Sequence, residues 1–430
     1  MRRALVLSTA ALLGCRESPA PAPQTDAASL AVGLSPPAAP EAPSAPPRAP
    51  APQADARCPW RWSADTALRL EAAAAVTDLV ATCTNETLAV AWREGARVRA
   101  TTRALQPDAR WSDPVTVGDD ATRLGEPTAA ARDLWLAWET AAPLGASGVR
   151  VAAVRNGVVL RSDPTVLGRG RVTQLHTLHG QGDIGLVAAT LTGRDGPQTL
   201  LLRMSATGTL PTGGARLADG TTVASAPGST AFLAVLRRGE GTGPGRWQLT
   251  AWRIDARLAA AFGQSVRPGV WGALPEGAAS TVGALPLGPG TFDFIPRATE
   301  DGAVLVQTVV GAERGMARVA WFGDTPADAR IVPLQVAPSA LASIGRDDDA
   351  AARAEYWDET HALVTRRVTR QGAEDPVAVE APLPAAPAVL AVAHGTRRLR
   401  CGRGAWRVAL VTAEPASPPQ LTADRADCSR

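Results

Sequence analysis

Short apolar runs broken by polar turns recur along the chain from residue 87 onward. One series reads TLAVAW (87–92), LWLAW (134–138), IGLVAAT (184–190), AFLAVLRR (231–238), AVLVQTVV (303–310), AEYWDE (354–359) and AVLAVA (388–393). A second series follows it: ARVRATTRA, GVRVAAVRNG, QTLLLRMSATG, WQLTAWRIDA, GMARVAWFGD, HALVTRRVTRQG and AWRVALVTAE. Apolar and polar positions alternate in part within each member, the period of a half-buried strand. Glycine and proline interrupt the chain too often for long helices. The pattern therefore predicts an all-β protein.

One residue from each member of the second series measures the repeat. Val98, Val151, Leu201, Leu249, Val319, Val364 and Val408 are separated by 53, 50, 48, 70, 45 and 44 residues. A unit of this length, with two evident strands and room for two more, predicts a β-propeller. The 373 residues from Cys58 to the C-terminus divide into seven four-stranded blades of about 53 residues. The one long interval falls in 258–300, where PEGAASTVGALPLGPG reads as an inserted loop. Two β-sandwich domains are the alternative, but they lack a unit of this length. Trp92, Trp138, Trp252 and Trp321 close apolar runs and are expected to pack between blades, with sugar stacking as the minor alternative.

The N-terminus has another character. Met1-Arg2-Arg3 precedes the run Ala4 to Gly14, apolar apart from Ser8 and Thr9. Eleven residues are too few for a transmembrane helix, which needs about 20, but they suit the apolar region of an export signal. Leu12-Leu13-Gly14-Cys15 resembles the lipobox of bacterial lipoproteins, in which the cysteine thiol is acylated and the peptide is cut before it. The resemblance implies a signal peptide over 1–14, a lipid anchor on Cys15, and attachment to the envelope of a Gram-negative bacterium. Arg16 in place of aspartate implies the outer membrane, on its periplasmic or surface face. An ordinary secretory signal is the alternative. Residues 17–57 carry eleven prolines and no aromatic residue, so neither helix nor sheet propagates there. Residues 15–57 are expected to form a disordered tether with a reach on the order of 120 Å, and 58–430 the propeller.

Charge and composition narrow the function. Without Arg2 and Arg3 the chain holds 42 basic and 41 acidic side chains. That balance argues against nucleic acid, whose partners show a basic stripe. There is no lysine at all, which removes a Walker-type phosphate loop and Schiff-base chemistry. The abundance of alanine, glycine and proline reads as a GC-rich coding bias.

Of five cysteines, lipidation of Cys15 leaves Cys58, Cys83, Cys401 and Cys428, an even set for an oxidising compartment. Separations of 25 and 27 residues favour local pairs, Cys58–Cys83 and Cys401–Cys428. Cross-pairs such as Cys58–Cys428 also fit, because both chain ends of a propeller meet in its closing blade.

Candidate chemistry is sparse. His176 and His179 form H-x-x-H, but residues three apart on a strand face opposite ways, so no metal site is expected. Asp347-Asp348-Asp349 lacks the alternating spacing of a calcium loop and reads as a solvated loop between blades. No G-x-S-x-G elbow occurs, and no cofactor is expected. The stretch ARWSDPVTVG (109–118) resembles sialidase-like repeat propellers, although their Asp-box is not intact in any unit. That resemblance implies a tyrosine nucleophile, for which Tyr356, beside Glu355 and Glu359, is the one candidate. Two functions follow. The first is a non-enzymatic, lipid-anchored binding or scaffold propeller, monomeric, with an envelope protein or glycan as partner. The second is a sialidase-like glycoside hydrolase.

Overall fold

The computed structural model describes residues 60–428 except 65–67, 71–74, 107–108, 131–132, 209–211, 239–246, 258–261, 263–270, 289–290, 299–302, 310–316, 323–328, 337–340, 349–350, 358–362, 370, 379–391, 402–403 and 413–418. The expected signal segment and tether, Cys15, Cys58, Asp349 and Glu359 lie outside the described residues. The chain divides between Ala56 and Arg57, and the description concerns the second unit, Arg57–Arg430.

Its strands form seven antiparallel sheets in chain order. The first is Val76–Cys83, Thr87–Glu94, Arg97–Ala104 and Val115–Gly118. The second is Ala121–Leu124, Asp133–Ala141, Ala146–Arg155 and Val158–Arg161, extended by Thr128–Ala130 and Thr165–Arg169. The third is Arg171–Gln181, Ile184–Gly193, Gly196–Ser205 and Gly213–Asp219. The fourth is Thr221–Ala226, Thr230–Arg238, Trp247–Asp255 and Ala279–Gly288. The fifth is Thr291–Ala298, Ala303–Val309, Ala317–Trp321 and Arg330–Pro333. The sixth is Leu341–Asp348, Ala351–Trp357, Leu363–Thr369 and Val377–Ala378. The seventh joins Val392–Cys401, Gly404–Thr412 and Gln420–Cys428 to the N-terminal strand Trp60–Ala64, with Leu68–Arg69 also on Gln420–Cys428.

The first strand of each sheet touches the first strands of the sheets before and after it, and Val392–Cys401 returns to Val76–Cys83. A ring of meander sheets closed in this way is a β-propeller. Each of the first five sheets is buried on both faces, which is why their second strands read as nearly unbroken apolar runs. Along Asp133–Ala141, Leu134, Leu136 and Trp138 pack against Val80, Ala91 and Val98 of the first sheet. The alternate residues Trp135 and Ala137 pack against Val187, Leu200 and Leu202 of the third. The seven repeat markers Val98 to Val408 are all buried.

Large rings in these layers lie on glycines of the neighbouring sheet. A Cβ added at Gly180 would lie 2.3 Å from the indole of Trp135, one at Gly118 2.7 Å from Trp138, and one at Gly283 2.8 Å from Phe322. The buried indole N–H groups of Trp92 and Trp138 donate to Glu94 Oε1 (3.0 Å) and Asp120 Oδ1 (2.9 Å). Trp92, Trp138 and Trp321 are fully buried between sheets as expected, whereas Trp252 is only half-buried.

Three expectations need correction. The insertion lies earlier than expected: Ala279–Gly288 is the outer strand of the fourth sheet, so the extra residues are 256–278. The last repeat is shifted by one strand. Val408 lies on the second strand of its sheet and the other six markers on third strands, because Trp60–Ala64 supplies the seventh sheet's outer strand, with Trp60 opposite Cys428. The local cysteine pairs are also wrong, since Cys83 is bonded to Cys401 across 318 residues, their Cα atoms 5.7 Å apart. Cys428 belongs to a strand separated from that of Cys401 by Gly404–Thr412. Two strand spacings are about 10 Å, beyond the ~7 Å reach of a disulfide.

The bond joins the innermost strands of the first and seventh sheets, and two further contacts hold the same seam. The Arg103 guanidinium lies 5.2 Å from the ring centroid of Trp406, and Arg425 donates to the Leu105 carbonyl at 3.2 Å.

Non-reducing peptide mapping should link Cys83 to Cys401, leaving Cys58 and Cys428 to pair with each other; a Cys401–Cys428 peptide would refute this. Replacing both Cys83 and Cys401 with alanine should cost about 2–4 kcal/mol in chemical unfolding. Gly180→Ala should cost at least about 1–3 kcal/mol through overpacking against Trp135, read as a lower melting temperature.

Candidate functional site

Tyr356, the sequence's candidate nucleophile, sits on the second strand of the sixth sheet. Its side chain is buried in an apolar cluster with Val319, Trp321, Val332 and Val364. It faces the packed layer between the fifth and sixth sheets and not a cleft. Asp347 and Asp348 do not lie in a loop between blades as expected: they end the strand Leu341–Asp348, and Asp348 pairs with Ala351 within the sixth sheet.

His176 and His179 lie on the innermost strand of the third sheet, with a bulge between Thr177 and His179. His176 is fully buried, and its Nδ1 lies 2.8 Å from Ser225 Oγ on the innermost strand of the fourth sheet. On the other side the Glu126 N–H donates to the Leu175 carbonyl at 2.9 Å, and the Thr177 N–H to the Glu126 carbonyl at 2.7 Å. His176 therefore links three consecutive sheets near the ring axis. Burial pushes its pKa from 6.5 down to about 4, against the opposing pull of the Glu126 carboxylate. It is neutral at physiological pH and acts as a structural hydrogen-bonding group.

A concave site of about 500 Å³ opens on the outer rim between the third and fourth sheets. Its lining comes from three places. Arg216, Leu217 and Asp219 project from Gly213–Asp219, Arg237 and Trp252 from the second and third strands of the fourth sheet, and Trp271 and Gly272 from the 256–278 connection. The alternation of the strands explains the composition. Leu233, Val235 and Ile254 fill the layer between these two sheets. Arg237 and Trp252 continue the same faces outward, two residues beyond Val235 and two before Ile254.

The connection doubles back onto the third sheet. Gly272 forms a parallel bridge with Ala215, and its carbonyl accepts the Arg216 N–H at 3.2 Å. The Trp271 ring lies on Gly214, where an added Cβ would sit 2.7 Å from it, and packs against the core between the second and third sheets. Its indole N–H is buried and has no hydrogen-bond partner among the described residues. Arg216 forms an ion pair with Asp219. The Arg237 Nε donates to Gln248 Oε1 at 2.8 Å across the strand pair, which orients the outer edge of its guanidinium.

Sequence reasoning marked Trp252 but assigned it to the core, and it did not mark Trp271, Arg216 or Arg237. The available signal was the 70-residue interval between Leu249 and Val319, since a long insertion next to a tryptophan on a regular scaffold points to a local site.

No family model matches the sequence, and no curated protein matches it. Solved structures with similar folds include the WD40 domain of Toxoplasma gondii coronin. It is 10% identical with a TM-score of 0.42, over 85% of this chain and 87% of that one. A subtype N10 neuraminidase-like protein from a little yellow-shouldered bat isolate is 7% identical with a TM-score of 0.39, over 85% and 99%. A PL25 ulvan lyase is 8% identical with a TM-score of 0.44, over 82% and 95%. At these levels no ligand or activity is carried over to this chain.

The buried histidine sets a pH dependence. Unfolded His176 binds a proton below about 6.5 and the folded form only below about 4, so unfolding takes up a proton between these values and acid destabilises the fold there. Denaturant titrations at pH 4.5 and 7.5 should show a loss on acidification that is smaller in His176→Leu. An equal loss in both proteins would contradict the assignment.

Proposed function

We propose that this chain is an exported lipoprotein whose acylated Cys15 holds a non-enzymatic binding propeller at the cell envelope. Its expected place is the outer membrane of a Gram-negative bacterium, as a monomer. The 17–57 spacer gives the propeller reach to an envelope protein or glycan. The Cys83–Cys401 disulfide supports an oxidising compartment.

The observation that carries the binding reading is the chemistry of the rim site. Among the described residues it offers the half-buried indole of Trp252, the edge of Trp271, two guanidinium groups and one carboxylate, and that carboxylate is paired with Arg216. Glycoside hydrolysis by the usual route needs two carboxyl groups facing each other across the bond. The tyrosine that a sialidase mechanism would use is packed in an apolar layer. Indoles and arginines instead recognise ligands, through stacking and charge-assisted hydrogen bonds.

Two experiments test this reading. Cys15→Ala should move the protein out of the membrane fraction and abolish labelling by a clickable palmitate analogue; unchanged fractionation and labelling would sink the anchor. The purified propeller should leave fluorogenic sialosides and other glycosides intact, and turnover lost in Tyr356→Phe would establish the hydrolase instead.

A further inference from the structure

The rim site between the third and fourth sheets has the chemistry of a saccharide subsite. We infer that it binds an acidic glycan, specifically a uronate-bearing pyranose chain, in a site formed by Trp252, Trp271, Arg237 and Arg216. The inference rests on the binding reading above and specifies where the ligand sits.

Four observations point to this class. The site is a shallow, solvent-open concavity of about 500 Å³, a shape along which a chain of sugar rings can lie. Trp252 is half-buried, so its indole is fixed by packing against the inter-sheet core while part of it remains open for the apolar face of a sugar ring. Arg237 is tethered through Nε to Gln248, which leaves its Nη groups to meet a carboxylate without a large loss of side-chain freedom. The ion pair of Arg216 with Asp219 cancels one charge of each sign, so among the described lining residues Arg237 supplies the one uncompensated charge. That charge suits a ligand with isolated carboxylates.

A peptide is disfavoured by the geometry. Extended peptides commonly add a strand to a free sheet edge. Here the edge strand Gly213–Asp219 already meets the protein's own connection, through Ala215 opposite Gly272 and the Arg216 N–H to the Gly272 carbonyl. What remains accessible beside that bridge is side-chain surface, aromatic and cationic, which favours a ring-shaped anionic ligand.

The test is isothermal titration of the purified propeller with trigalacturonate, with maltotriose as the neutral control and an acidic peptide as the alternative ligand. The inference expects binding of trigalacturonate that weakens with added salt, and much weaker binding of maltotriose. Arg237→Gln should reduce trigalacturonate affinity at least about tenfold, the equivalent of one charge-assisted hydrogen bond, with a melting temperature close to wild type. Trp252→Ala should reduce binding of both sugars. If Trp252→Ala lowers the melting temperature substantially, Arg237→Gln decides the matter alone. Binding of the peptide but not the uronate, or uronate binding indifferent to Arg237→Gln, would overturn the inference. If no sugar binds but envelope crosslinking still recovers a partner, the saccharide inference fails and the binding reading stands. Cleavage of the trigalacturonate would instead sink the non-enzymatic reading.

Discussion

A ring of sheets has to close, and the rest of this structure depends on how that closure is made. The first and seventh sheets share one buried apolar layer, so a lost contact there would leave two apolar faces exposed at once. The exposed place would be the junction of the first and seventh sheets, where chain connectivity alone does least to hold neighbours together. Three kinds of interaction converge there. The N-terminal strand Trp60–Ala64 completes the seventh sheet, the Cys83–Cys401 bond joins the two innermost strands, and Arg103 lies over Trp406 across the seam. The covalent bond closes a loop of 318 residues. The loop-closure entropy of so long a loop has an upper value of about 6 kcal/mol, of which disulfides typically deliver about 2–4 kcal/mol, a large fraction of the 5–15 kcal/mol by which domains are usually stable.

Around the ring, the layers are thin because glycine lets them be thin. Trp135 lies against Gly180, Trp138 against Gly118 and Phe322 against Gly283. Each ring fills the space that a neighbouring Cβ would otherwise occupy. The 40 glycines of the chain read in sequence as a compositional bias, yet several of them are required by these close approaches.

Much of the fold was legible because the physics behind it is local. The run LWLAW signals a strand buried on both faces, and the second-series markers repeat because each sheet has the same third strand. What the sequence concealed is non-local. The register of Val408 depends on a strand 348 residues earlier in the chain, Trp60. The partner of Cys401 depends on which sheets meet at the seam and not on which cysteine is nearer in sequence. Trp271 enters the rim site because its connection doubles back to pair with Ala215, and no periodicity encodes that return. Trp252 looked like its three counterparts in sequence. It differs because it sits at the edge of the layer between the third and fourth sheets, only half-buried against its core.

The closed ring is fastened at one seam and carries the rim concavity between its third and fourth sheets. The most direct measurement is hydrogen–deuterium exchange of the purified propeller, with and without a disulfide reductant. If the seam holds the ring, reduction should raise exchange first in Val76–Cys83 and Val392–Cys401, before the third-sheet strands Arg171–Gln181 and Ile184–Gly193. Exchange that rises first in the third sheet, or equally in all sheets, would contradict it.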